Sequence, residues 1–343
     1  MTPFVVKQVA RFKGEICLPG DKSIAHRALI VAALSRGKTD IINFPLNQDC
    51  LVTLCALRTL GITISQNKDH LTVMGKGLRG LKKPLGSIYV GDSGTSLRLI
   101  LGMLAGQHFT ARLLAGTSLS KRPMLRVTKP LRLMGARIKA RIDKAASEEF
   151  APLTVTGSRL EAITYEMPVP SAQVKSSLLL AGLNAKGRTV VVEPIPTRDH
   201  TERMLKLFKA DIKLHTNTII ITGGRPLTSP QRISIPGDIS SAAFFMALGV
   251  IAAKSSIVIR AVSLNPTRMG AVQLLKRMGA KIGIRNQKGR GETGEPVADI
   301  FIKNSRLWGV TVKKEEIPAM IDELPVLMVA ASLAKGVTVF EGL

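Results

Sequence analysis

Several short polar clusters in this 343-residue sequence stand directly before long apolar stretches, and their side chains are of kinds that can hold an anion. Asp21-Lys22-Ser23 is the first, with Arg27 four residues beyond Ser23 and therefore on the same helical face. Gly91-Asp92-Ser93-Gly94-Thr95 is the second, with Arg98 three residues beyond Thr95. Ser171 and Gln173 open a third, Asp238 a fourth and Asp322 a fifth. Two other segments supply cations: Ser118 to Met124 carries Lys121 and Arg122 before a helix, and Thr197-Arg198-Asp199 precedes another. At a helix start, unbonded N–H groups and the helix dipole favour negative charge, and a flanking Lys or Arg adds to the pull. Ser, Asp and Thr at such places also serve simply as caps. Asp238 reads best that way, and Asp199 with Glu202 three residues later reads as a capping box. Arg27 falls inside an otherwise apolar helix, where an unpaired cation is costly, so function is favoured for Lys22 and Arg27. Asp322 is open between the two readings.

The elements that position these groups repeat. Each cluster continues as an apolar stretch of helical length, breaks at Gly, Lys, Ser or Gln, and ends in a β-branched strand. Between the clusters recurs a second phrase, as in LRLMGARIKARI and LLKRMGAKIGIRN: an amphipathic helix, a Gly- or Ala-marked end, then one or two strands. The unit is β-α-β-α-β-β, recurring at about 75 residues. The first helix of each unit is nearly all apolar and should be buried on every side, with the second covering the outside. The segment Pro230 to Pro236 is the candidate crossover between two domains.

Composition narrows the class. Hydrophobic residues at 45% and charged residues at 21% describe a core-forming globular protein. The most apolar stretch, Ile239 to Ala253, is shorter than a membrane span, so no membrane partner is expected. Three cysteines, with no Cys-x-x-Cys, cannot staple a fold of this size; they read as small core residues in a reducing, cytoplasmic compartment. Five scattered histidines show no metal-ligand spacing, so no metal site is expected. Lys+Arg 49 against Asp+Glu 24 gives a net charge of +25, which attracts anions. The bases are not clustered, and one Trp and two Tyr offer little stacking, so a nucleic-acid partner is not expected. Gly75–Gly80 and Gly289–Gly294 fit G-x-G-x-x-G without opening a helix, and read as loops.

The segments GDKSIAHRAL, GTSLRLILGMLAG, SLSKRPMLRV, PSAQVKSSLLLAGL, TRDHTERML, IPGDISSAAFF, NPTRMG and IDELPVL resemble, in order, the motifs of the 5-enolpyruvylshikimate-3-phosphate synthase family. The resemblance runs from about Lys13 to Leu343. It implies an α/β, two-lobed enolpyruvyl transferase fold of repeated β-α-β-α-β-β units around buried parallel helices. It also implies enolpyruvyl transfer from phosphoenolpyruvate to the 5-hydroxyl of shikimate 3-phosphate, in aromatic amino acid biosynthesis, with no metal or organic cofactor. By the same resemblance Lys22 contacts both substrates and, with Asp322, is catalytic. Ser23, Arg27, Ser171, Ala172, Gln173, Arg198 and Asp322 hold shikimate 3-phosphate; Gly94, Thr95, Arg122 and Gln173 hold phosphoenolpyruvate. Asp322 handles the 5-hydroxyl proton. Asp92 stands where the family usually has Asn, and His200 where one branch has Tyr. A sister transferase acting on UDP-N-acetylglucosamine is disfavoured: it carries Lys-Asn in place of Lys22-Ser23, and a Cys in the loop that here runs from Ser118 to Met124 without one.

The expected domains are a complete lobe of three units at 21–234 and a discontinuous second lobe of 1–20 plus 235–343. The fifth unit stops after its first strand at Leu343, so the sequence reads as C-terminally truncated, with apolar surface exposed near Val326 to Val339. The family pattern continues with a Lys-Glu pair and further Arg and Lys residues that bind phosphoenolpyruvate. The expectation is therefore a monomer that binds small phosphorylated substrates and alone shows no measurable turnover.

Overall fold

A computed structural model describes residue 5, residues 11–289 and residues 291–343. The first ten residues of the expected second lobe, Val5 apart, and one position of the second glycine-rich loop lie outside the described residues. Nine α-helices occur among the described residues: α1 Lys22–Leu34, α2 Gln48–Thr59, α3 Gly94–Ala105, α4 Leu125–Leu133, α5 Ala172–Gly182, α6 His200–Leu207, α7 Ile239–Ile251, α8 Gly270–Arg277 and α9 Leu324–Ser332. The chain divides into two units. The larger is Lys22–Ile235 with Glu292–Gly294; the smaller comprises the described residues through Asp21, with Pro236–Gly291 and Glu295–Leu343.

In the larger unit three sheets share one plan. Ile88–Tyr89 lies parallel to Thr110–Leu114, which continues antiparallel into Glu148–Thr156 and Arg137–Asp143. Thr164–Glu166, Arg188–Val192, Thr218–Thr222 and Ile212–His215 repeat the order. In the third sheet the parallel neighbour of Ser35–Ile42 is Arg232–Ser234, the strand that precedes α7. The smaller unit has the complementary exchange: Lys13–Cys17, which precedes α1, lies parallel to Ser256–Ser263. A parallel pair flanking a helix and then an antiparallel hairpin is the β-α-β-α-β-β period seen in the sequence.

The apolar helices take the interior. α1 is buried from Ile24 to Leu34, α3 from Ser96 to Ala105 and α5 from Val174 to Gly182. α3 and α5 approach closely at Gly102, where a Cβ would stand 2.2 Å from the Ser177 carbonyl oxygen, so only glycine fits. α2 and α4 bury one face, as their patterns predict. In the smaller unit Val326 and Leu327 of α9 are buried, whereas Met328, Val329, Leu333, Val337 and Val339 are exposed.

Two local expectations are corrected. Asp199 and Glu202 form no capping box. Asp199 pairs with Arg203 (Oδ2 to Nε, 2.8 Å), and Glu202 turns inward to Lys175 at 2.7 Å. A buried cation competes better for a carboxylate than a helix amide does. Of the cysteines only Cys50 is a core residue; Cys17 and Cys55 are exposed, and all three are free thiols.

Candidate functional site

In the larger unit the openings of α1, α3 and α5 are joined by side-chain hydrogen bonds. Arg27, buried in α1, donates from Nε to Thr201 Oγ1 at 2.6 Å and from Nη2 to Ser176 Oγ at 2.9 Å. Its Nη1 returns to the Ser23 carbonyl at 2.8 Å, one turn back. The burial that made Arg27 conspicuous in the sequence is met by three directed bonds, which fix its guanidinium at the start of the helix.

Gln173 joins the other two openings. Its Oε1 accepts from Arg98 Nη1 at 2.6 Å, and its Nε2 donates to Thr95 Oγ1 at 2.9 Å. A thread of hydroxyls, His26–Thr53–Ser96–Ser93, connects α1, α2 and α3 beneath them at 2.6–2.8 Å per link. The caps are in place: Ser93 accepts from the Ser96 amide and Ser171 from the Val174 amide. The Ser93 hydroxyl therefore both caps α3 and belongs to the bonded thread at its start.

Arg98 stands in the second opening but is absent from the site inferred by resemblance. It is 6% exposed, and burial, aided by nearby Arg126 and Arg122, pushes its pKa down to about 10. A Cβ on Gly94 would stand 2.7 Å from Arg98 Nη1 and 3.8 Å from Arg122 Nη1, so both guanidinium groups border Gly94. Two arginines beside a helix N-terminus, with Arg126 also repelling Arg98, form a place that an anion would stabilise. Asp92 accepts the Leu119 amide at 2.8 Å, and so ties down the loop that carries Lys121 and Arg122. That gives the unexpected carboxylate a structural task.

Lys22, at the first position of α1, pairs with Asp49 at 2.9 Å, with both side chains partly exposed. Sequence reasoning missed Asp49. The available signal was its place in the first turn of α2, behind the Asn47 cap. Ser171, Ala172, Gln173 and Arg198 are all half-buried. The loop before Arg198 is set by a buried triad: Lys175 meets Glu193 at 2.8 Å and Glu202 at 2.7 Å, while Glu193 accepts the Thr197 amide at 3.2 Å. Asp322 lies in the smaller unit, exposed in the turn before α9, where Glu323 takes the N-cap position. Two cavities of about 580 and 570 Å³ share Arg79, Asn184 and Gly224. They lie in the larger unit beside the residues that follow α1 and α5, away from the helix openings. No group of three or more potential metal-ligating side chains occurs among the described residues, and no helix there is long and apolar enough to cross a membrane.

Comparison with known proteins identifies the family. The EPSP synthase (3-phosphoshikimate 1-carboxyvinyltransferase) family profile matches residues 6–343. The 3-phosphoshikimate 1-carboxyvinyltransferase of Desulfitobacterium hafniense is 47% identical over 334 residues, covering 97% of this chain and 75% of that protein. The Geobacter sp. enzyme of the same name is 46% identical over 339 residues, covering 99% and 77%. The solved EPSP synthase of Acinetobacter baumannii superposes with a TM-score of 0.88 at 46% identity, covering 96% of this chain and 73% of that one. The enolpyruvyl transferase NikO of Streptomyces tendae shares the fold at a TM-score of 0.72 and 18% identity, covering 95% and 74%. The chain thus spans about three-quarters of the length of these proteins, and it belongs to the EPSP synthase family.

Proposed function

We propose that the helix openings of the larger unit hold the two anionic substrates of the reaction, and that Asp322 handles the proton of the attacking hydroxyl. The activity is that of a 3-phosphoshikimate 1-carboxyvinyltransferase. The 5-hydroxyl oxygen of shikimate 3-phosphate bonds to C2 of phosphoenolpyruvate as its proton is taken up and C3 gains a proton. The resulting C3 methyl then gives up a proton as the C2–O bond to phosphate breaks, so that phosphate leaves and the double bond re-forms. Lys22, Ser23, Arg27, Ser171, Ala172, Gln173, Arg198 and Asp322 bind shikimate 3-phosphate. Lys22, Gly94, Thr95, Arg122 and Gln173 bind phosphoenolpyruvate, and Arg98 joins them as a buried cation. Asp322 accepts the hydroxyl proton as the general base of the addition.

The observation that carries this reading is Gln173, whose one amide bonds both Thr95 and Arg98 and so joins the openings assigned to the two substrates. Calorimetry of shikimate 3-phosphate with the chain and with Gln173→Ala tests it. The variant should bind on the order of tenfold more weakly, the value of about one hydrogen bond in a charged network. Equal affinity would overturn the assignment.

A further inference from the structure

The smaller unit holds a buried charge cluster to which substrate binding assigns no role. Arg268 closes the 3-10 turn Pro266–Arg268 just before α8 and is 2% exposed. Its guanidinium stands 3.6 Å from Asp21 and 3.2 Å from Glu323, and each carboxylate belongs to a residue 1% exposed. Ser240, in the first turn of α7, bridges the group: its hydroxyl donates to Glu323 and accepts from Arg268 Nη2. Asp238, the N-cap of α7, adds a third negative neighbour. Burial alone would lower the pKa of Arg268, but Asp21, Glu323 and Asp238 hold it above its ordinary value. Such a cluster is expensive to desolvate, and a good apolar core would stabilise the unit as well.

Its chain neighbours suggest what it does. Glu323 directly follows Asp322. The Glu323 amide donates to the Met320 carbonyl at 2.9 Å, and its own carbonyl accepts from Leu327 at 3.0 Å. Its side chain does not cap α9 although it stands at the cap position; it turns inward to Arg268 and Ser240. The turn that presents Asp322 is therefore held at the residue next to it by a charged, buried bond. We propose that Arg268 is a positioning residue for Asp322: by clamping Glu323 it fixes the turn from which Asp322 presents its carboxylate to the shikimate hydroxyl. The inference rests on the assignment of Asp322 made above.

Arg268→Ala would leave three carboxylates facing one another and would simply unfold the unit, so the test uses Arg268→Lys and Glu323→Gln, each with and without Asp322→Asn. In the ligand-free chain, both conservative variants should speed hydrogen exchange of the Glu323 amide about tenfold and leave a core amide such as Ile259 unchanged. They should also weaken shikimate 3-phosphate binding about three- to tenfold by calorimetry, and this loss should vanish in the Asp322→Asn background. Unchanged exchange at Glu323 overturns the inference, as does a loss of affinity that adds fully to that of Asp322→Asn. If Asp322→Asn alone leaves affinity untouched, the assignment of Asp322 falls and the inference with it. An effect of Asp322→Asn with fully additive partners removes only the positioning role.

Discussion

Arg27 and Thr201 lie 174 residues apart in sequence, yet Arg27 Nε donates to Thr201 Oγ1 at 2.6 Å, tying the start of α1 to the first turn of α6. Ser176 closes the group, bonding both Arg27 and Thr201. Arg27 is thus both a proposed ligand of shikimate 3-phosphate and a strut between helices.

Arg27→Ala should therefore lose affinity and stability together. Loss of a charge-assisted contact costs about 1.5–3 kcal/mol of binding, and leaving two buried hydroxyls short of a donor costs folding free energy as well. Thr201→Val separates the effects: it removes only the strut, so it should lower the melting temperature while weakening binding less than Arg27→Ala. Calorimetry and thermal denaturation of both variants check this. Equal losses of affinity would assign Arg27 to the strut alone.

Gly94→Ala probes the second opening. The added methyl would meet Arg98 Nη1 at 2.7 Å, and because that atom ends a flexible side chain, the guanidinium moves rather than the backbone. Moving it breaks the 2.6 Å bond to Gln173. Phosphoenolpyruvate affinity should fall on the order of tenfold, the equivalent of about one charged hydrogen bond. Shikimate 3-phosphate affinity should fall less. The reverse ranking in calorimetry would remove Gly94 and Arg98 from the phosphoenolpyruvate site.

The pKa of Arg98, pushed down from its ordinary value to about 10, has a definite sign. Between those values the unfolded chain binds the proton that the folded chain has lost, so stability rises with pH there. Below the window the folded protein carries the whole penalty, on the order of 3 kcal/mol. Arg98→Met removes both the penalty and the anion's partner. It should melt no lower than the wild type at pH 7, and phosphoenolpyruvate should stabilise it less. A large drop in melting temperature would mean that the bonds to Gln173 and the Pro123 carbonyl outweigh desolvation.

The contrast between Lys22 and Lys175 shows what could be read from the sequence. Lys22, Ser23, Gly94, Thr95, Ser171 and Gln173 were legible because each follows a strand and opens an apolar helix, a local pattern repeated along the chain. The apolar helices themselves were legible for the same reason. The partners of those residues were not. Asp49 reaches Lys22 from 27 residues away, and Lys175 sits in mid-helix with its carboxylates 18 and 27 residues downstream. Glu202 looked like half of a capping box because a local rule applied. The inward turn depends on a buried cation that only the tertiary structure brings near. Arg268 was hidden in the same way.

Lys175 serves two buried carboxylates, so one negative charge is in surplus. Lys175→Met should destabilise by about 3–5 kcal/mol, as expected when a buried pair loses its cation. Glu202→Gln should cost much less. Burial raises the Glu202 pKa above 4.5, although Lys175 opposes the shift. The folded chain then holds a proton that the unfolded chain releases at about pH 4.5, and wild-type stability falls as pH rises through the folded value. Glu202→Gln lacks this dependence and should gain on the wild type between pH 4 and pH 7.5. Urea denaturation at both pH values reads the difference; a variant that loses ground as pH rises would contradict it.

Asp92 offers a test in which charge and hydrogen bonding part company. Its Oδ1 accepts the Leu119 amide at 2.8 Å, and that bond holds the loop bearing Arg122. Asparagine keeps a carbonyl oxygen at the same place and removes the negative charge; alanine removes both. Asp92→Asn should therefore fold with a stability within about 0.5 kcal/mol of the wild type. It should also bind phosphoenolpyruvate more tightly, because a full negative charge no longer stands beside an anion. The gain should shrink as added salt screens the exposed charge, over a Debye length of about 10 Å at 0.1 M. Asp92→Ala should bind more weakly than the wild type, since the loop loses its anchor and Arg122 its fixed position. Calorimetry at low and high salt on the three proteins decides the matter. If asparagine and alanine weaken binding equally, the negative charge itself holds the loop, through its attraction to the neighbouring arginines, and the hydrogen bond to Leu119 is incidental.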